Sequence, residues 1–167
     1  AGVLLQQYLR HSDPSLEHQY MTTDYLYATA QYEEAIQSAT DLITSQGEQV
    51  KPRLYKLIAY SKAALKDSVS ALKSMQQYFR FQDSAEYVAR DYELMANLVA
   101  ESGVEQTDAV KWFKKALAAE DKAADSLKLM LQIAGIYKEA GKREDEAVWR
   151  QQIFIHKENP NNIDLYN

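Results

Sequence analysis

Apolar residues along this chain recur at helical spacing. An alanine opens the pattern five times, at Ala1, Ala35, Ala71, Ala109 and Ala147, and apolar residues follow four, seven and eight places on. The first three frames are Ala1, Leu5, Tyr8, Leu9; Ala35, Ala39, Leu42, Ile43; and Ala71, Met75, Tyr78, Phe79. The last two are Ala109, Phe113, Ala116, Leu117 and Ala147, Gln151, Phe154, Ile155. Of these twenty positions only Gln151 is polar. Such spacing places four side chains on one stripe of a helix. The alanines stand 34, 36, 38 and 38 residues apart, so a helical unit is repeated rather than one globular core assembled.

A second helical segment precedes each complete stripe, closed by a short turn. In the third unit Asp83, with Glu86 three residues later, reads as a capping-box variant. An apolar helix then runs through Tyr87, Tyr92, Met95, Ala96 and Val99 to Gly103, a left-handed C-cap. Thr107 is placed to cap the next helix, which carries Trp112, Phe113 and Leu117. The fourth unit repeats the scheme with Met130, Ile133, Ala134, Tyr137 and Gly141, the charged turn Lys142-Arg143-Glu144-Asp145, and Ala147. The pattern predicts an all-α solenoid with no β-strand: one leading helix, then four hairpins, about nine helices in a right-handed superhelix.

These residues resemble tetratricopeptide (TPR) repeats over nearly the whole chain. The family pattern is an aromatic, a leucine and a small residue on the first helix, then tyrosine, a turn glycine, and Ala-x3-Phe on the second. Tyr92, Met95, Ala96, Val99, Gly103, Ala109 and Phe113 fill that order. Met130, Ile133, Ala134, Tyr137, Gly141 and Ala147 fill it again, with Gln151 replacing the phenylalanine. Gln31-Tyr32-Glu33-Glu34-Ala35-Ile36 is similar to the family's usual opening of its second helix, and Asn159-Pro160-Asn161-Asn162 to its link between repeats. The sequence departs from the pattern at Lys62, where tyrosine is usual, and at Gln19, Thr22 and Thr23 on the weak first helix of the opening unit. Both Gly-to-Ala turns of the later units are one residue longer than the family norm. The longer units also resemble divergent arrays of exported bacterial proteins.

Four hairpins are expected over 13–49, 50–83, 84–121 and 122–159, with residues 1–12 as the trailing helix of a preceding unit and 160–167 as the start of a further one. Ile163, Asp164, Leu165 and Tyr166 read as that further first helix, so the chain looks like a segment of a longer protein. The alternative is that the terminal half-units serve as caps. Small residues allow helices to approach closely where they cross. Ala59, Ala96 and Ala134 on first helices, with Ala71, Ala109 and Ala147 on second helices, are the expected crossing points.

Composition narrows the chemistry. The formal charge of −5 argues against sequence-blind nucleic-acid binding, which needs a basic face. The absence of cysteine excludes disulfides, thiolate metal sites and cysteine nucleophiles, and leaves the compartment open between cytoplasm and periplasm. No run of 18 apolar residues exists, so membrane insertion is not expected. No phosphate-binding, dinucleotide-binding or hydrolase motif occurs. His11-Ser12-Asp13 reads as a helix end followed by a capping turn, not as a triad, because catalytic partners converge from separate segments. His11, Asp13, Glu17 and His18 lack the paired spacing of zinc sites. No catalytic residue, metal or cofactor is expected.

The resemblance implies a groove lined by the first helices that receives a peptide or helix of another protein. Its groove-facing places fall on Tyr20, Asp24 and Tyr27; on Arg53, Lys56 and Tyr60; on Arg90, Glu93 and Asn97; and on Lys128, Leu131 and Lys138. Tyr20, Tyr27, Arg53, Lys56 and Tyr60 combine aromatic anchors with cations. Of the twelve tyrosines, Tyr32, Tyr78 and Tyr92 are assigned to the core. The clamp by which some family members hold a chaperone's C-terminal carboxylate is missing, since Leu94 and Gln132 stand a turn after Arg90 and Lys128. The expected function is a protein-interaction scaffold. The alternative is a structural array that self-associates through its open ends.

Overall fold

Four residues in left-handed backbone conformation set the hairpin turns: Ala30 at φ 59°, Lys66 at 66°, Gly103 at 74° and Gly141 at 69°. The computed structural model describes residues 15–103 and 105–160. Among them are eight α-helices and no strand, so the fold is the all-α helical repeat that the periodicity predicts. The predicted leading helix over 1–12 and the helix expected after Pro160 lie outside the described residues, as do His11 and Asp13.

Two compact units divide at Gln82 and Asp83. The first contains α1 (Leu16–Ala28), α2 (Tyr32–Gln46), a 3-10 turn (Gly47–Gln49), α3 (Arg53–Ala64) and α4 (Ser68–Phe81). The second contains a 3-10 turn (Ser84–Glu86), α5 (Ala89–Glu101), α6 (Thr107–Ala119), α7 (Ala123–Glu139) and α8 (Arg143–Phe154).

Three of the turns close with the same pair of hydrogen bonds. Gln31 N donates to Leu26 O and Ala30 N to Tyr27 O; Asp67 N donates to Lys62 O and Lys66 N to Ala63 O; Lys142 N donates to Tyr137 O and Gly141 N to Lys138 O. This Schellman arrangement satisfies the last carbonyls of a helix and reverses the chain. The second helix then starts two residues past the left-handed residue, at Tyr32, Ser68 and Arg143. After Gly103 the helix starts four residues on, at Thr107.

Caps follow the same economy. Ser15 accepts from His18 N at 3.3 Å to start α1, and Asp67 accepts from Ser70 N at 3.1 Å to start α4. Two expected caps are corrected. Asp83 accepts from Ala85 N and so caps only the 3-10 turn. Tyr87 and Val88 are extended, and α5 begins at Ala89, with the buried Asp91 carboxylate accepting from Val88 N. Thr107 is the first residue of α6, not its cap.

Small residues lie where helices meet. Ala59, Ala71, Ala96, Ala109 and Ala134 are buried, as are Ala35, Ala39 and Ala116. In the α1–α2 hairpin the corresponding place is taken by Thr23, which is fully buried. Its hydroxyl donates to Gln19 O at 2.8 Å and lies 2.6 Å from Ser38 Oγ. A buried hydroxyl with both partners avoids the desolvation cost of an orphaned one. The first unit packs Tyr20, Leu42, Leu54, Leu57 and Ile58 around these contacts. The second packs Val110, Phe113, Leu129 and Ile133, with Met130, Ala134 and Ile153 beside α8.

The fifth stripe is a correction. Ala147 and Gln151 are exposed, and Phe154 and Ile155 keep half or more of their surface in solvent. Because the fourth turn is as short as the first two, the place of Ala35 and Ala71, five residues past the left-handed position, falls on Glu146. One residue is about 100° of helix rotation. Ala147 is therefore turned off the packed face, while Ile153 takes the place of Leu42. Glu146 and Arg150 stand where the first hairpin has Ala35 and Ala39, and they pair at 2.7 Å. Trp149 and Ile153 hold α8 against α7.

Candidate functional site

The first-helix residues picked out by the repeat pattern are drawn into quite different settings. Tyr20 on α1 is buried at 3% exposure. The segment before α3 folds over it: Lys51 N donates to the phenolic oxygen at 3.0 Å, and the Lys51 ammonium lies 4.6 Å from the ring centroid. The Arg53 guanidinium lies 5.4 Å from the same ring. Each cation rests on the negative face of the ring. Tyr20 is thus a core anchor of the first unit.

Arg53 also grips Asp24. Its Nη1 donates to Oδ1 at 2.6 Å and its Nη2 to Oδ2 at 2.9 Å, a bidentate pair joining the two first helices of this unit. Lys51 extends the charged surface to Glu17 at 3.7 Å. Sequence reasoning missed Lys51 and Glu17, which carry no repeat-position signal. Tyr27 is half-buried against the core, with its ring centroid 6.1 Å from that of Tyr32. Lys56 lies over the buried Tyr78 ring of α4 at 5.1 Å. Tyr60 is half-buried.

In the second unit three of the picked residues share one cleft. Arg90 and Glu93 from the start of α5 and Lys128 from α7 line a space of about 410 Å³. Glu120, Lys122 and Asp125 complete its charged rim. Those three were not picked; Glu120 and Lys122 belong to the charge run between α6 and α7, and Asp125 to the first turn of α7. Lys128 Nζ donates to Asp125 Oδ1 at 3.0 Å. That hydrogen bond and the attraction between the two charges hold the Asp125 carboxyl below its ordinary pKa and the Lys128 ammonium above its own, with Glu93 adding to the latter. Glu120 bends back to accept from Lys122 N at 2.9 Å. Asn97 is half-buried, whereas Leu131 and Lys138 are exposed further along the first helices. The cleft offers cations and carboxylates at its mouth, a setting for hydrogen-bonded recognition of a polar chain.

Among the described residues no three His, Asp or Glu side chains group as a metal site. No helix among them is long and apolar enough to cross a membrane.

Comparison with known proteins places the fold. No family model matches the chain, and no curated protein matches it in sequence. Among solved structures it is similar to MamA, with a TM-score of 0.71 and 13% identity over 92% of this chain and 85% of that one. It is also similar to the C-terminal part of a TPR repeat-containing protein from Cytophaga hutchinsonii, with a TM-score of 0.57 and 14% identity over 84% and 66% of the two chains. At such identities the likeness speaks for the fold alone: the chain has a TPR-like helical-repeat architecture.

Proposed function

We propose that the chain is a protein-interaction scaffold whose first helices receive a peptide or helical segment of another protein. The observation that carries this reading is the α5–α7 cleft, where Arg90, Glu93 and Lys128 come together in a space of about 410 Å³ lined by both signs of charge. Repeat folds of this kind present such surfaces as their main functional feature. In the first unit Tyr27, Lys56 and Tyr60 add half-buried aromatic and cationic surface on α1 and α3. The occupant is an extended or helical segment carrying acidic residues with aromatic or aliphatic neighbours, attracted by the cations.

Two variants test the proposal against a partner first captured by the native chain and identified by mass spectrometry. Tyr27→Ala with Lys56→Ala and Tyr60→Ala alters the first unit; Arg90→Ala with Lys128→Ala alters the second. At least one should lose the partner while circular dichroism stays helical. Full binding by both would remove the first-helix faces as the site.

A second reading, self-association through an open helix, is favoured by one observation. Val148, Phe154 and Ile155 on and after α8 are 54%, 50% and 56% exposed. Sedimentation at rising concentration separates it from the first reading, because a monomer at every concentration excludes it.

A further inference from the structure

Away from the first-helix candidates, the first unit contains a cleft of about 430 Å³ between the segment joining α2 to α3 and the end of α4. Val50, Pro52, Tyr55 and Phe81 form its apolar wall, and Glu48 and Arg80 supply its charges. Phe81 is 51% exposed although it ends a helix beside this wall. Its ring is nonetheless held in place. It stacks on Tyr55 with centroids 5.6 Å apart and planes inclined by 30°, and the Arg80 guanidinium lies 5.3 Å from its centroid.

Two features identify what fits. A rigid aromatic stack loses little conformational entropy when a third apolar group is laid on it, and aromatic and Arg side chains dominate binding hot spots. Arg80 makes no ion pair among the described residues, and neither does Glu48. A guanidinium whose only partner is a ring face keeps its N–H donors for a carboxylate. A space of this size falls within the range of small-ligand sites and accommodates one large side chain with its neighbour.

We infer that this cleft is a second docking site, which takes an aromatic side chain adjacent to a carboxylate in a partner peptide. The ring lies on Phe81 and Tyr55 against Val50 and Pro52, the peptide's acidic side chain pairs with Arg80, and Glu48 accepts a peptide N–H. The site uses none of the first-helix candidates: Arg80 and Phe81 lie on a second helix, Val50 and Pro52 between hairpins, and Tyr55, although on α3, is not among them.

The test is an amide NMR titration of the full chain with acetyl-Ala-Trp-Asp-Ala-amide and acetyl-Ala-Trp-Lys-Ala-amide. The acidic peptide should shift the signals of Val50, Tyr55 and Phe81 and bind about two- to fivefold more tightly than the basic one, the range for exposed charge pairs. Arg80→Glu should invert that preference. Phe81→Ser should weaken both peptides while circular dichroism stays helical, since half of Phe81 is already in solvent. Shifts confined to other residues, no shift at millimolar peptide, or an unchanged preference in Arg80→Glu would each overturn the site. None of these variants touches Tyr27, Lys56, Tyr60, Arg90 or Lys128, so failure here leaves the first-helix reading standing.

Discussion

Asp24 and Arg53, 29 residues apart in sequence, meet through two parallel hydrogen bonds, at 2.6 and 2.9 Å, across the gap between two first helices. The pair is only partly shielded, with the Arg53 and Asp24 side chains 41% and 46% exposed. Solvent screening at that exposure limits it to the upper part of the surface range, about 0.5–1 kcal/mol. A double-mutant cycle of Asp24→Ala and Arg53→Ala in urea should return a coupling of that size, shrinking in about 1 M salt. Zero coupling would show that the geometry fastens nothing.

The turns offer a stabilising change. Ala30 and Lys66 hold positive φ, a conformation that costs a residue with a Cβ about 1–2 kcal/mol. Glycine avoids that cost but gives back part of it in unfolded-chain entropy. Ala30→Gly and Lys66→Gly should each stabilise by about 0.5–1 kcal/mol. Gly141→Ala should destabilise by about 1 kcal/mol through backbone conformation alone, because a Cβ built there meets nothing within 4 Å. Urea midpoints that move the other way would contradict the Schellman assignment.

Asp67 gives the fold a pH dependence. The hydrogen bonds from Ser70 hold its carboxyl below the ordinary carboxylate value. A depressed folded pKa means the stabilisation is present above the unfolded value, about 3.9, and is lost as pH falls through the lower folded one. Asparagine can still cap a helix, so Asp67→Asn removes the charge and keeps the cap. Urea midpoints from about pH 5 to pH 2 should show the native chain losing its advantage over Asp67→Asn toward the acid end. Parallel curves would mean that the carboxylate has no linked role.

What could be read in the sequence was what helical period and side-chain size report. Ala59, Ala96 and Phe113 were legible because close crossings require small residues and a filled gap beside them. Ala30 and Lys66 were not, since nothing in either residue type calls for positive φ as glycine does. Tyr20 looked the same as a groove aromatic or as a core one until Lys51, 31 residues on, closed over it. Arg90, Glu93 and Lys128 were reached through the repeat positions. Glu120 and Lys122 lie between helices, where period carries no information, and the stack of Tyr55 on Phe81 joins two helices whose relative placement no local pattern gives.

The same limit explains the fifth alanine, and two matched substitutions expose it. Ala109 is fully buried between α5 and α7, whereas Ala147 occupies the same sequence frame and is exposed. The frame kept six residues from each turn glycine to its alanine, but α8 starts two residues earlier relative to Gly141 than α6 does relative to Gly103. Ala109→Leu should therefore cost about 1–3 kcal/mol by forcing a close crossing apart. Ala147→Leu should stay within about 0.5 kcal/mol, as surface changes do. Phe113→Ala supplies the scale: 2% exposed and packed with Ala109, it should cost about 3–5 kcal/mol. Equal damage from Ala109→Leu and Ala147→Leu in urea titration would return α8 to the unslipped register, with Ala147 on its packed face.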